Sequence, residues 1–380
     1  MGTPLPLHQL HQALHAQLRE EDGWEVVAAY HDAQAEHRHA RRAAGLFDLS
    51  HRGRLEILGP DRVSWLHNLL TNDIKALKPG GGCATALLTP QGKVVSTASL
   101  FALPDSLLLD CETSRAPLIS THLKKYRITE RVEVHDRTAE FGLLALQGPQ
   151  AETIVSTWAG AAACPKNNGH HVSYHIDGMT VLIARCSVTG DPGFYCFVPT
   201  ARLPDLWQRL LAAGRPFGLT PCGMDALESL RIEAGLPRAG RDFDETTLLA
   251  EAGLEQTVSQ TKGCYVGQEF VVRIRDRGQV TRRLVALGLE DAVAAAPGDR
   301  LLAETREVGK ITSSAVVPTH ARALALGYVS REYITPGTAL TVQRASDTCR
   351  ATVITPTILP VTGPALDPGD PHPHDHPHEH

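Results

Sequence analysis

The commonest signatures of enzyme chemistry are missing from this 380-residue chain. There is no G-x-G-x-x-G, no phosphate-binding P-loop, no H-E-x-x-H and no G-x-S-x-G, which removes the usual dinucleotide, nucleotide, zinc-peptidase and hydrolase readings. The eight cysteines, at 83, 111, 164, 186, 196, 222, 264 and 349, include no C-x-x-C pair. Such spacing is neither a zinc signature nor a compact disulfide framework. No apolar run approaches the roughly 18 residues of a membrane span. The first twenty residues scatter leucines among histidines and glutamines, unlike the basic start and apolar core of a secretory leader. A net charge of −5 gives no reason to expect nucleic acid or membrane as a partner. These absences point to a protein of the reducing cytosol, and a monomer is expected.

The length suggests two or three domains, because single cores rarely grow much beyond about 250 residues. Leu7, Leu10, Leu14 and Leu18 fall at helical spacing and predict an amphipathic N-terminal helix with His8, His11 and His15 near its polar side. A second helix is expected over residues 30–44. Alternation predicts a strand over 54–58, ended by Gly59-Pro60, then a helix over 61–70 capped by Asp61. Strands over 84–88, 94–103 and 107–111, a helix over 117–126 and a strand over 131–135 follow. Residues 141–146 are nearly all apolar and read as an interior strand, with a helix over 150–158 behind it. Strands over 180–184 and 193–198 and helices over 203–213 and 222–234 complete this part. Gly80-Gly81-Gly82 opens no helix and reads as a plain loop. Beyond Arg282 only short β runs remain, which suggests a separate all-β module. The stretch from Pro364, with five histidines at alternate positions from His372 to His380, cannot bury enough apolar surface to order itself. It is either an inert solubilising tail or a weak metal-binding tract.

The most informative run is Lys262-Gly263-Cys264-Tyr265-Val266-Gly267-Gln268-Glu269. A thiol between glycines and beside a lysine is a candidate reactive group, since cysteine acts as its thiolate and nearby positive charge favours ionisation. A packed cysteine in a tight turn is the equally plain alternative. Arg273, Arg275 and Arg277 are expected on one face of a following strand by their period of two, with Arg282 and Arg283 on the return. Such a stripe suits a folate glutamate tail or an acidic partner surface. Asp242, Asp244 and Glu245, three acids in a loop with no matching ligands, read as solvated, and no metal site is assigned.

Lys262 to Glu269, Leu230-Arg231-Ile232-Glu233-Ala234-Gly235-Leu236-Pro237 and Arg273 with Arg277-Gly278 together resemble the YgfZ-type folate-binding proteins. These are relatives of iron–sulfur assembly factors within the aminomethyltransferase (glycine cleavage T-protein) superfamily. Phe47-Asp48-Leu49-Ser50-His51, Leu70-Thr71-Asn72-Asp73, Leu146-Gln147-Gly148-Pro149 and Thr189-Gly190-Asp191-Pro192-Gly193-Phe194 are similar to landmarks of that superfamily in the same order. The resemblance spans residues 5–355. It implies an α+β, three-lobed cloverleaf around a channel for tetrahydrofolate. Residues 1–50 with 140–232 would form the first lobe and 51–139 with 233–280 the second. Residues 281–360 would form a β-barrel, and 361–380 a disordered tail.

The same resemblance implies Arg231, Thr97, Tyr195, Asn72 and Arg273 as folate contacts, with Cys264 and Lys262 carrying the activity. Arg231 has a plainer reading as a helix-surface partner of Glu228 or Glu233. Departures accompany the matches. Ser96 and Thr97 stand where the transferases place an aspartate beside the folate nitrogen, Tyr195 where they place a glutamate, and Ala84 where they place a tyrosine. A hydroxyl steers protons and stabilises cations poorly compared with a carboxylate. The leading expectation is therefore a folate-binding accessory protein for assembly or repair of iron–sulfur clusters, with iron–sulfur proteins as partners. The alternatives are a tetrahydrofolate-dependent aminomethyltransferase or demethylase, and a metal chaperone using the histidine tail.

Overall fold

The computed structural model describes residues 2–278 and 280–356. The histidine-rich tail, and the disorder expected of it, lie outside the described residues. A six-stranded sheet runs in the order His171–Ile176, Met179–Arg185, Gly193–Pro199, Phe141–Gln147, Ala44–Asp48, Leu219–Pro221. The last strand joins in parallel. The apolar run in its middle exists because both faces are covered. Leu144 and Leu146 join a core with Ile154, Leu206 and Trp207 of the flanking helices. Leu143 and Ala145, one residue out of phase, pack towards Phe101, Leu108 and Leu230.

Phe101 and Leu108 belong to the second, five-stranded antiparallel sheet. Its order is Gly82–Leu88, Val94–Ala102, Leu107–Cys111, Gly53–Leu58, Glu133–Asp136. Alternation along Val94–Ala102 sends Ala98, Leu100 and Ala102 to the core under helices Arg62–Leu69 and Ala116–Lys125. Phe101 instead faces the first sheet. The third unit is a closed barrel, in the order Arg282–Leu289, Arg322–Ser330, Arg306–Val317, Arg300–Ala303, Ala339–Gln343, Thr348–Ile354, whose last strand pairs with its first. Closure leaves no open sheet edge. The barrel meets the rest of the chain through the helix Met224–Glu233, whose Ile232 packs on Ala286, Val317 and Leu324. This α+β architecture with a β-barrel module is the expected one.

Several local expectations are corrected. The N-terminal helix is only His8–Ala13, and Leu18 lies in a strand, Gln17–Glu21, paired with Trp24–Ala29. His11 is fully buried, not on a polar face, because its ring bonds Asp48 at 2.8 Å and the Tyr30 hydroxyl at 3.0 Å. Asp61 makes no capping bond; its carboxylate accepts from the Arg131 backbone at 2.8 Å. Gly82 is not loop but the first residue of a strand, and a Cβ there would collide with the Gly169 and Leu100 carbonyls. Arg273 and Arg275 lie on a helix, Gln268–Arg277, and not on a strand. Val271, Val272 and Ile274 are among its half-buried residues, and Arg273 pairs with Glu269 one turn back at 2.6 Å. The period-two spacing of the arginines was a coincidence of this helix.

Candidate functional site

Where the two sheets and the helix Met224–Glu233 converge, a cavity of ≈ 210 Å³ opens. Its wall is built from Leu49, His51 and Arg52, just past the strand Ala44–Asp48, together with Tyr195 and Val188. Met224, Leu227, Glu228 and Arg231 line it from the helix, and Glu112 and Arg238 from loops. The helix therefore turns one face to the barrel and another to this cavity.

The charged groups form one connected lattice. Arg52 pairs with Asp110 at 2.7 Å and with Glu112. Arg238 joins Glu112 and Glu21, each at 2.8 Å. Burial pushes Asp110 up in spite of Arg52, whereas Arg52 and Arg238 hold Glu112 well below the ordinary carboxylate range against the opposing effect of its own burial. Arg231 spends every donor of its guanidinium on the protein. It donates to both oxygens of Glu228, to Asp242 at 2.8 Å, to the Leu236 carbonyl at 2.9 Å and to Ser313 at 2.8 Å. An arginine has five N–H donors, so none is left over for a ligand.

His51 contrasts with Arg231. It is only 4% exposed, and its Nδ1 has no hydrogen-bond partner among the described residues. Burial lowers its pKa to about 4, so the ring is neutral at physiological pH. A buried polar atom without a partner is costly and marks a place where a ligand or water completes the bonding.

The residues expected to act together divide between two places. Tyr195 and Arg231 line the cavity. Tyr195 is 1% exposed, its hydroxyl lies beside Cys186, and burial raises its pKa far above the ordinary value. Thr97 shares its strand face with Ser99 and Phe101, and Ser99 approaches the same Cys186. Ser96 is fully buried.

Asn72 and Arg273 lie away from the cavity. The Asn72 amide donates to the Ala84 carbonyl at 2.8 Å, and Arg273 is an exposed helix residue. Asp242 is not solvated, as expected, but buried, because it holds Arg231, Thr312 and Ser313. Arg231 pairs with Glu228 inside the protein rather than on a helix surface. Asp244 bonds Thr246 and Glu245 pairs with Arg115. His51, Arg52, Glu112 and Arg238 escaped attention as site residues; the only signal was the position of His51 at the end of Phe47-Asp48-Leu49-Ser50-His51.

Cys264 is the one cysteine of the eight that is exposed. Lys262 does not sit beside it as a counter-charge. Its ammonium turns inward to the carbonyls of His67, of Leu70 at 2.5 Å and of Asn72 at 3.1 Å, and burial lowers its pKa to about 8. The lysine thus bolts the thiol loop to the end of the helix Arg62–Leu69.

The profile of the GCVT N-terminal domain matches residues 7–262, two-thirds of the chain, and that of the glycine cleavage T-protein C-terminal barrel domain matches 282–359. The chain belongs to the glycine cleavage T-protein family. An aminomethyltransferase of Rubrobacter xylanophilus is 34% identical over 86% of this chain and 87% of its own. Another from Desulforamulus reducens is 32% identical over 92% and 96%. The crystal structure of glycine cleavage system aminomethyltransferase T from Bartonella henselae superposes with a TM-score of 0.84 at 26% identity, covering 93% of this chain and 97% of that one. The match therefore takes in both the N-terminal domain and the barrel. No helix of the described residues is long and apolar enough to cross a membrane.

Proposed function

We propose that this T-protein family member binds a reduced folate in the central cavity and takes part in tetrahydrofolate-dependent one-carbon transfer of the aminomethyltransferase class. The observation that carries the reading is the buried, neutral His51 with an unpartnered nitrogen in a cavity where the donors of Arg231 are already spent on the protein. The curated relatives named aminomethyltransferase support it. The cavity, at ≈ 210 Å³, is smaller than the roughly 300–1,000 Å³ of sites that enclose a whole drug-sized ligand. It therefore suits the ring end of a folate, with the tail lying outside.

Tetrahydrofolate would supply the nitrogen that carries the one-carbon unit. Leu49, Val188, Met224 and Leu227 exclude water from its ring, and Tyr195 offers a single hydroxyl. His51 offers the folate a neutral hydrogen-bonding ring where Ser96 and Thr97 supply no carboxylate. A neutral imidazole suits that task because one ring nitrogen donates a hydrogen bond and the other accepts one. The arginine–carboxylate lattice fixes the field around it without rearranging.

Calorimetric titration with tetrahydrofolate tests the binding. Wild type should bind one equivalent, Leu227→Trp, which fills the cavity, should not, and His51→Phe should bind while losing turnover of a methylated amine donor. Absence of heat from wild type would remove the proposal.

A second reading, an accessory role in iron–sulfur cluster assembly or repair, is favoured by one observation. The exposed Cys264 sits in the run that resembles the YgfZ-type proteins. In cells lacking the native gene, Cys264→Ala should fail to restore cluster-dependent enzymes; full restoration would end this reading.

A further inference from the structure

The thiol run opens onto a second cavity that shares no lining residue with the central one. It encloses ≈ 390 Å³ between the helix Gln268–Arg277, the segment 249–265 and the edge of the barrel. Leu249, Val258, Val271, Val272, Ile274 and Ile334 make its wall apolar. Lys262 and Tyr265, which flank Cys264 in sequence, contribute to it.

The charge around this wall is one-sided. Arg275, Arg282, Arg283 and Arg331 surround it against a single lining carboxylate, Glu255. Three of the arginines have protein partners: Arg275 meets Asp276 and Gln260, Arg282 meets Glu251, and Arg283 meets Glu255. Arg331 is exposed, and its guanidinium has no protein partner among the described residues. A cation left unpaired at the mouth of an apolar cavity, in a protein of net charge −5, fits an anionic head whose body enters the cavity. Guanidinium groups bind carboxylate and phosphate oxygens in matched pairs of hydrogen bonds. The volume lies within the roughly 300–1,000 Å³ of small-molecule sites.

We infer that this cavity is a second ligand site, independent of the folate site, for a small amphiphilic anion with an apolar chain or ring and a terminal carboxylate or phosphate. Arg331 takes the head, and Val271, Val272 and Ile274 cover the body.

The fluorescent aromatic anion 8-anilinonaphthalene-1-sulfonate, added to the full chain, is the probe. One molecule should bind with enhanced fluorescence, and Arg331→Glu and Val272→Trp should each weaken binding at least tenfold. Leu227→Trp, which fills only the central cavity, should leave it unchanged. Octanoate or octyl phosphate should displace the probe at concentrations at least tenfold below octylamine; whichever is stronger assigns the head as carboxylate or phosphate. Arg331 is a surface residue, so its variant reports even if Val272→Trp fails to fold. Equal displacement by octylamine, or binding unaltered in Arg331→Glu, would overturn the assignment.

Discussion

Asp242 is the joint on which the central cavity depends. Asp242 is buried, and its carboxylate accepts four hydrogen bonds. One oxygen takes Arg231 at 2.8 Å and the Arg238 backbone at 2.9 Å; the other takes Thr312 at 2.5 Å and Ser313 at 2.7 Å. Arg231 comes from the helix Met224–Glu233, Arg238 from the loop behind it, and Thr312 and Ser313 from the barrel strand Arg306–Val317. Asp242→Ala leaves a buried guanidinium short of a counter-charge, a change that costs about 3–5 kcal/mol when one partner of a buried pair is removed. Asp242→Asn keeps the shape and some acceptors but loses the charge. Its cost should be about half as large, since hydrogen bonds to charged groups contribute about 1.5–3 kcal/mol each. Urea unfolding followed by both intrinsic fluorescence and far-ultraviolet circular dichroism measures the shift. It also shows whether barrel and lobes separate into two transitions once the joint is cut. An Asp242→Ala protein within about 1 kcal/mol of wild type would refute the claim that this carboxylate neutralises Arg231.

Iodoacetamide at pH 8 should add a single adduct, at Cys264, because burial pushes the Cys83, Cys186, Cys196 and Cys222 thiols up to about 12; peptide mass mapping reads the site. Lys262→Met should cost about 3 kcal/mol by leaving carbonyls of His67, Leu70 and Asn72 without their donor. Lys262→Arg should not restore it, since a planar fork cannot converge on them as an ammonium does. The unfolded His51 imidazole takes its proton near 6.5, whereas the folded one stays neutral down to about 4. Stability is thus full above pH 6.5 and falls by roughly 3 kcal/mol as pH drops towards 4, a slope that His51→Phe should remove. Glu233 adds to acid lability lower down. Although its burial opposes ionisation, contacts from His37, Arg41 and Thr319 hold its pKa at about 2, so its contribution is complete above 4.5 and lost as pH falls from 4.5 towards 2. Unfolding midpoints of Glu233→Gln across that window measure it.

Periodicity made much of this fold legible. The unbroken apolar run at 141–146 is an interior strand because it is covered on both faces, and the short β runs after Arg282 do close into a barrel. It failed where two periods coincide over a short window. Arg273 and Arg275 satisfy a strand alternation, but the apolar residues interleaved with them, Val271, Val272 and Ile274, satisfy a helical face as well, and contact with the core decided between them. The strand pair near the N-terminus was invisible for a similar reason, since Leu18 completed a helical spacing by chance.

Chemistry at a point was readable in the same partial way. That Cys264 lies in a glycine-flanked loop follows from local composition, and the loop is exposed because Gly263 meets no neighbour within 4 Å. The direction in which Lys262 points does not follow, because the carbonyls that capture it come from residues 67–72, nearly two hundred positions away. The saturation of Arg231 and the isolation of His51 are likewise sums over partners drawn from several elements. A residue's type and its near neighbours fix what it is able to donate or accept and which backbone shapes it tolerates, and so determine the order of elements and the list of reactive groups. Whether a donor is already spent, or a proton site left vacant, depends on atoms brought together only when the chain closes, and that the tertiary structure alone decided.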